Sequence, residues 1–329
     1  MNAALALLPV ILFLLFLFAL DSFKLVVKKT LLLCITWGII SALFAYFVNT
    51  GIVQLFNLSF ETLSLYFSPA IEELLKIAGI IFLLKKKRIG FMIDAVVYGF
   101  AAGAGFALTE NLFYLYTTND PNLLIWIIRG LGTSVMHGGC TALFALILIG
   151  AKSREASLIL YFIPATMAAY LIHALFNHFY LSPIIQTAGI VIVLPLLFIS
   201  IFNYNEKQLQ NWLEIEFASE IELLKMINKG QFITTRSGIY LASLKSKFSP
   251  EVLVDMYCFI SLYLDLSVKA KRNMMLKECG LDPIKENDID DKLTELFQLK
   301  KQIGKTGILT LSPLIRMNYR DLWKLKSLE

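Results

Sequence analysis

The sequence predicts an all-α protein: a polytopic membrane bundle of about seven transmembrane helices, followed by a mostly helical cytosolic domain. Three observations lead there. Of 329 residues, 57% are hydrophobic and only 17% charged, with 25 Phe, a composition too apolar for an ordinary soluble domain. The apolar residues collect into runs long enough to cross a hydrocarbon core of about 30 Å, which takes roughly 20 helical residues. From about Tyr204 these runs stop, and apolar residues recur at helical spacing among charged ones, as in LQNWLEIEFASEIELLKMI.

The expected spans lie near 3–20, 30–48, 61–84, 92–116, 123–150, 157–180 and 184–202. The first has the length of a secretory signal but no basic start, and LFALDSFK offers no small-residue cleavage site, so it reads as an uncleaved helix. Lys24, Lys28 and Lys29 follow the first span, the run KKKR at 85–88 follows the third, and Lys152 and Arg154 follow the fifth. The alternate loops, NTGIVQLFNLSF, TTNDPN and LSP, contain no Lys or Arg. The positive-inside rule then puts the N-terminus outside and the C-terminal domain in the cytosol. An odd number of spans agrees with that assignment.

Two domains are therefore expected, 1–203 in the membrane and 204–329 in the cytosol. The second carries 19 Lys and Arg against 17 Asp and Glu, too balanced to argue for nucleic acid. The lipid bilayer is the first partner, and nothing in the chain specifies an oligomeric state. Cys34, Cys140, Cys258 and Cys279 have no CxxC or zinc-finger spacing and read as packing residues. The GKTG at 304–307 lacks the upstream glycine of a phosphate loop.

Chemistry concentrates in the spans. SPAIEELLKIAG, residues 68–79, places Glu72, Glu73 and Lys76 inside the third. An ionisable group at the centre of a span costs about 2.5–3.5 kcal/mol, so three within five residues require partners. On a helix they fall at about 0°, 100° and 40°, with the lysine between the carboxylates. One Glu can pair with Lys76 while the other faces a polar cavity. Pro69 is expected to start or kink the helix, which puts both Glu residues in a first turn where the helix dipole favours their anionic form.

The fourth span adds Glu110 and Asn111 in ALTENLFYLY, beyond a face of Gly99, Gly103 and alanines suited to close helix packing. All three histidines lie in the next two spans: His137 in MHGGC, His173 and His178 in LIHALFNHFY. His173 and Asn177 are four apart and share a helix face. His178 reads as an interfacial histidine, and Arg129 is expected to snorkel outward, away from the site. At about 1.5 Å per residue, groups from four helices converge on the outer half of the membrane.

The set EELLK, ENLFY, MHGGC and HALFN, in this order on successive spans, resembles the PrsW family of intramembrane proteases, grouped with the CAAX prenyl endopeptidases and Abi proteins. The likeness covers about residues 60–180 and leaves the region after 204 unexplained. It implies a glutamate-dependent peptidase acting on a membrane-embedded or membrane-proximal peptide; no cofactor is expected, since HExxH is absent and His-x-x-x-Asn offers one good ligand rather than two. By that resemblance Glu72 is the general base, with Glu73 and Lys76 setting its ionisation. His173 and Asn177 stabilise the oxyanion, while Glu110, His137 and Asn111 position water or peptide. The implied substrate is a single-span membrane protein such as an anti-sigma factor, with a prenylated CAAX-type peptide as the alternative.

Peptide hydrolysis needs the same parts: a base at the water, donors where negative charge develops and a proton for the leaving amine. The spans show no Ser-His-Asp order and no Gly-x-Ser-x-Gly or Gly-x-Gly-Asp motif. A zinc site is the mechanistic rival, with Glu72, Glu110, His137 and His173 as ligands, although HExxH is absent. A proton- or ion-coupled transporter is the rival of another class, since intramembrane Glu and His also mark proton relays. The unequal segments show no duplicated halves to support it. A catalytically dead scaffold is disfavoured because every polar motif position is filled.

Overall fold

The computed structural model describes residues 1–21, 24–118, 120–154 and 156–315, and of residues 205 and 208–215 the backbone alone. Asn119 of the loop expected outside, Ser22 and Phe23 after the first span, and 316–329 of the expected cytosolic domain lie outside the described residues. Among the described residues the ordered structure is helical, with no strand. The chain divides into two compact units, Met1–Asn205 and Glu206–Glu329.

The first unit comprises α1 (Asn2–Ala19), α2 (Lys28–Phe56), the short α3 (Phe60–Thr62), α4 (Ser68–Lys85), α5 (Met92–Thr117), the short α6 (Leu123–Ile127), α7 (Ser134–Ser153), α8 (Leu158–His178) and the first part of α9 (Pro183–Asn228). Two π-helical turns interrupt it, Leu63–Phe67 before α4 and Ile128–Thr133 before α7. Among the described residues six segments are long and apolar enough to cross a membrane: α1, α2, α5, Leu123–Ser153, α8 and Pro183–Tyr204. This is a helical membrane bundle, as the composition predicts. The expected third span, 61–84, is helical through α3, the π-turn and α4 but does not meet that measure, because α4 holds Glu72, Glu73, Lys76 and Lys85.

α5 is the centre of this unit, with every residue from Ile93 to Ala107 buried. It packs between α7, α2 and α1. Small residues make that possible. A Cβ on Gly103 would run into the backbone of His137 and Gly138 in α7, and one on Gly105 into Ile35 of α2. This close packing, the usual way helices associate where lipid removes the hydrophobic drive, sets His137 against α5 near Glu110. α4 packs on α2, where Trp37 Nε1 donates to the Leu75 carbonyl at 3.0 Å. α8 packs on α7 and α4. Outward-facing Leu12, Phe44, Ile163 and Leu196 are each more than half exposed, a surface suited to lipid.

The second unit contains the remainder of α9, α10 (Arg236–Ser243), α11 (Pro250–Glu278) and α12 (Ile289–Thr310). Thr235 caps α10 by accepting from Gly238 N at 3.0 Å, and Pro250 stands in the first turn of α11, where its missing N–H costs no helical bond. Met256, Phe259, Ile260 and Tyr263 of α11 pack with Leu293 and Leu296 of α12 in its core. Gly304, at φ 74°, kinks α12 with a backbone conformation that glycine adopts without a Cβ clash.

Candidate active site

The site begins on α4, which starts at Ser68 with Pro69 in its first turn, as the sequence suggests, but directly behind a π-turn. Phe67 has helical backbone angles and the π-turn runs directly into Ser68, so Glu72 and Glu73 lie beyond the first turn of α4. The expectation of a first-turn dipole effect at Pro69 is corrected: the N–H groups ahead of α4 belong to a preceding helical turn. What α4 does provide is the predicted angular order. Lys76 Nζ donates to Glu73 Oε1 at 2.6 Å, both side chains fully buried, and Glu72 stands to the other side.

α8 and α7 close on this pair. His173 Nδ1 lies 2.7 Å from Glu73 Oε1, and its Nε2 faces Glu72 Oε2 at 3.8 Å. Lys76 Nζ also donates to His137 Nδ1 at 3.0 Å, which leaves His137 Nε2 to donate to Glu110 Oε2 at 3.1 Å. The two imidazole rings meet edge to face at 4.6 Å, and Lys76 stands 5.0 Å from the Phe106 ring centroid. Four helices therefore contribute Glu72, Glu73, Lys76, Glu110, His137 and His173 to one continuous cluster. Glu73 Oε2 is buried in it without a hydrogen-bond partner.

Arg129 is part of this cluster too, and the sequence reading that turned it outward is corrected. Its Nη2 pairs with Glu110 Oε1 at 3.2 Å, its Nε donates to Asn111 Oδ1 at 3.1 Å, and the Tyr114 ring lies 3.7 Å beneath the guanidinium. A cation that can reach a half-buried carboxylate and an aromatic face gains more there than at the interface. The available signal was Glu110 itself, a second acid within a span for which the sequence showed no cation.

Two expected site residues engage the protein instead of facing the cluster. Asn111 donates to Ala6 O and to Ser134 Oγ, both at 2.8 Å, and accepts from Arg129, so it acts on the cluster through Arg129. Asn177 shares the α8 face with His173, but its amide donates to Ser64 O at 3.0 Å, in the π-turn ahead of α4. His178 lies apart, bonded to the Ala174 carbonyl and stacked on Tyr180. Two polar residues not singled out by sequence join Glu72: Ser68 Oγ donates to its Oε1 at 2.6 Å, and Asn49 Nδ2 donates to Ser68 Oγ at 2.5 Å.

Glu72, His137 and His173 each present a donor atom, all within 4.8 Å of one another. An N,N,O set with an open position is what catalytic zinc sites use. Glu73 on His173 Nδ1 also matches the carboxylate that orients a ligating imidazole and leaves its other nitrogen bare. The donor set fits a divalent ion once His137 Nδ1 is exchanged from Lys76 to the ion, with Nε2 kept on Glu110. Of the four ligands expected for that case, Glu110 stands outside this group, held by Arg129 and His137.

One family profile, PrsW family intramembrane metalloprotease, matches residues 27–202 of the 329. It encloses every group in the cluster. No curated protein and no solved structure matches the chain.

Proposed function

Since the chain belongs to the PrsW family of intramembrane metalloproteases, and is thereby a membrane-embedded peptidase, we propose that Glu72 activates the water that attacks the scissile peptide bond. The observation that carries this reading is the distribution of cations. Glu73 is taken by Lys76 and His173, and Glu110 by Arg129 and His137. Glu72 has no such cation at hydrogen-bonding distance, only a serine hydroxyl on one oxygen and the 3.8 Å gap to His173 on the other. Glu73 leaves Oε2 without a hydrogen-bond partner but is neutralised through Oε1 by Lys76, whereas a base must keep an oxygen that no contacting cation neutralises, and Glu72 is the carboxylate that does.

In this mechanism water gives its proton to Glu72 as its oxygen bonds to the carbonyl carbon. The carbonyl π pair moves onto oxygen, and collapse of the tetrahedral intermediate expels the amine, which takes the proton back from Glu72. With Nδ1 on Glu73, His173 turns its Nε2 toward Glu72 and the reacting groups. Lys76 compensates Glu73 and fixes the tautomer of His137, which with Arg129 holds Glu110 in place. Asn177 ties α8 to the π-turn and so sets the distance between His173 and Glu72.

The family description supports a second reading in which a divalent ion is held by Glu72, His137 and His173, an assignment favoured by their mutual spacing. Such an ion supplies Lewis acidity, drawing charge from the carbonyl and easing ionisation of water. Glu73 then orients His173, and Glu110 orients His137.

The proposed substrate is a single-span membrane protein cut within or beside the bilayer. The test is co-expression of the chain with a tagged library of single-span proteins: a fragment made by wild type and missing with Glu72→Gln identifies the substrate. Fragments that persist with Glu72→Gln refute the assignment of the base.

The proposed topology, N-terminus outside and Glu206–Glu329 in the cytosol, rests on the alternation of basic loops. Cysteines at Lys86 and Asn119 should react with an impermeant reagent from opposite sides, and same-side labelling would overturn it.

A further inference from the structure

We propose that Ser68, held by Asn49, is a positioning residue that fixes which oxygen of Glu72 faces the reaction; this rests on Glu72 being the group that acts on water. The hydrogen bonds run in one direction. Asn49 Nδ2 donates to Ser68 Oγ at 2.5 Å, so the single hydroxyl proton of Ser68 is directed to Glu72 Oε1 at 2.6 Å. With Oε1 held, Oε2 is the oxygen left toward His173 Nε2 across 3.8 Å.

The alternative, that Ser68 merely satisfies its own helix, fails on comparison. Thr36, Thr109 and Ser200, each within a membrane helix, return their hydroxyl protons to the carbonyl four residues earlier, as such residues usually do. Ser68 directs its proton forward, to a carboxylate one turn ahead. Asn49 comes from another helix, and its Oδ1 is buried without a hydrogen-bond partner. Its amide is committed to Ser68. The π-turn ends at Phe67, so Ser68 is the first residue whose position the extra helical residue sets.

Orienting partners of this kind typically change activity by about 10–100-fold when removed. The full chain, purified in detergent micelles, is assayed on self-quenched fluorescent casein. Ser68→Ala should lower kcat by about 10–100-fold with KM within about twofold, and Ser68→Thr, which keeps the hydroxyl, should restore most of the loss. Asn49→Ala should give an intermediate loss and add nothing in the Ser68→Ala background, because it acts through the same hydroxyl.

Ser68→Ala activity equal to wild type, a loss that Ser68→Thr shares in full, or additive effects of the two positions would each overturn the proposal. Asn49→Ala carries the same expectation should Ser68→Ala fold poorly, since it leaves α4 untouched. Wild-type turnover by Glu72→Gln refutes the underlying reading whatever Ser68 does. An inactive Glu72→Gln beside a fully active Ser68→Ala refutes this inference alone.

Discussion

Among the described residues two lysines, Lys76 and Lys271, are wholly buried, and their surroundings differ in kind. Lys271 of α11 meets Glu216 at 2.9 Å and Glu220 at 3.0 Å, and Ser267 donates to Glu220 at 2.6 Å. Glu216 is 44% exposed, so water shares in that arrangement. Lys76 contacts Glu73 at 2.6 Å and His137 at 3.0 Å, within a cluster that also holds Glu72, Glu110, His173 and Arg129. The first cluster uses its carboxylates to satisfy the ammonium. The second keeps one carboxylate oxygen and one imidazole nitrogen facing each other across a gap. Buried charge alone therefore marks neither region as catalytic. A charged group left incompletely paired, where being so is most costly, is what separates them.

The comparison is sharpest at the lysines. Lys76→Met leaves Glu73 and His137 without their cation, and breaking a buried pair from one side costs about 3–5 kcal/mol. It should lower thermal stability in detergent and abolish cleavage together. Glu72→Gln should instead cut cleavage by about 10²-fold or more while the amount of folded protein stays near wild type. If Glu72→Gln destabilises as much as Lys76→Met, Glu72 is a structural partner and the contrast collapses.

Lys271→Met should cost less, about 1–2 kcal/mol, because Glu216 is solvated. Hydrogen exchange along α11 in the full chain reads that loss locally. Smaller still is the effect of Glu286, whose carboxyl is held below its ordinary range by hydrogen bonds from Lys269 and Arg272. A depressed pKa stabilises above the unfolded value, and the contribution fades as pH falls through the folded one. Glu286→Gln should remove that part of the acid dependence of exchange in α11 and α12, and a steeper acid loss in the variant would contradict it. At the small end, EDTA and phenanthroline should leave cleavage unchanged under the glutamate reading. Inactivation reversed specifically by zinc would make His173 a ligand and bring the second reading forward.

The angular order of Glu72, Lys76 and Glu73 was legible in the sequence because it depends only on residues within one helical turn of each other. The convergence of the His137 and His173 motifs with the acids was legible for a related reason: ionisable residues in apolar spans have few places to go. What escaped depends on the partner across an interface. Arg129 sits close enough to a helix end to snorkel, and only the position of Glu110 and Tyr114 turns it inward. Asn177 and His173 share a face, yet the carbonyl exposed at Ser64 takes the asparagine. Ser68 and Asn49 are ordinary polar residues in sequence, 19 positions apart, and no periodicity joins them. The span at 61–84 read as one apolar run because periodicity does not distinguish a π-turn from an α-turn.

Each π-turn accommodates one residue beyond the α-helical count, and this gives the two segments a property of inheritance. An insertion is absorbed locally, so the helix before it and the helix after it can be selected for different neighbours. Removing one residue from Leu63–Phe67 would restore the ordinary repeat and leave the chain upstream in register with α4, while the carbonyls of the turn itself would move. The Ser64 carbonyl would leave Asn177, while Glu72, Glu73 and Lys76 kept their mutual order. A single-codon deletion can thus loosen the tie between α8 and the turn ahead of α4 while sparing the side chains of the cluster, something no substitution within the cluster achieves.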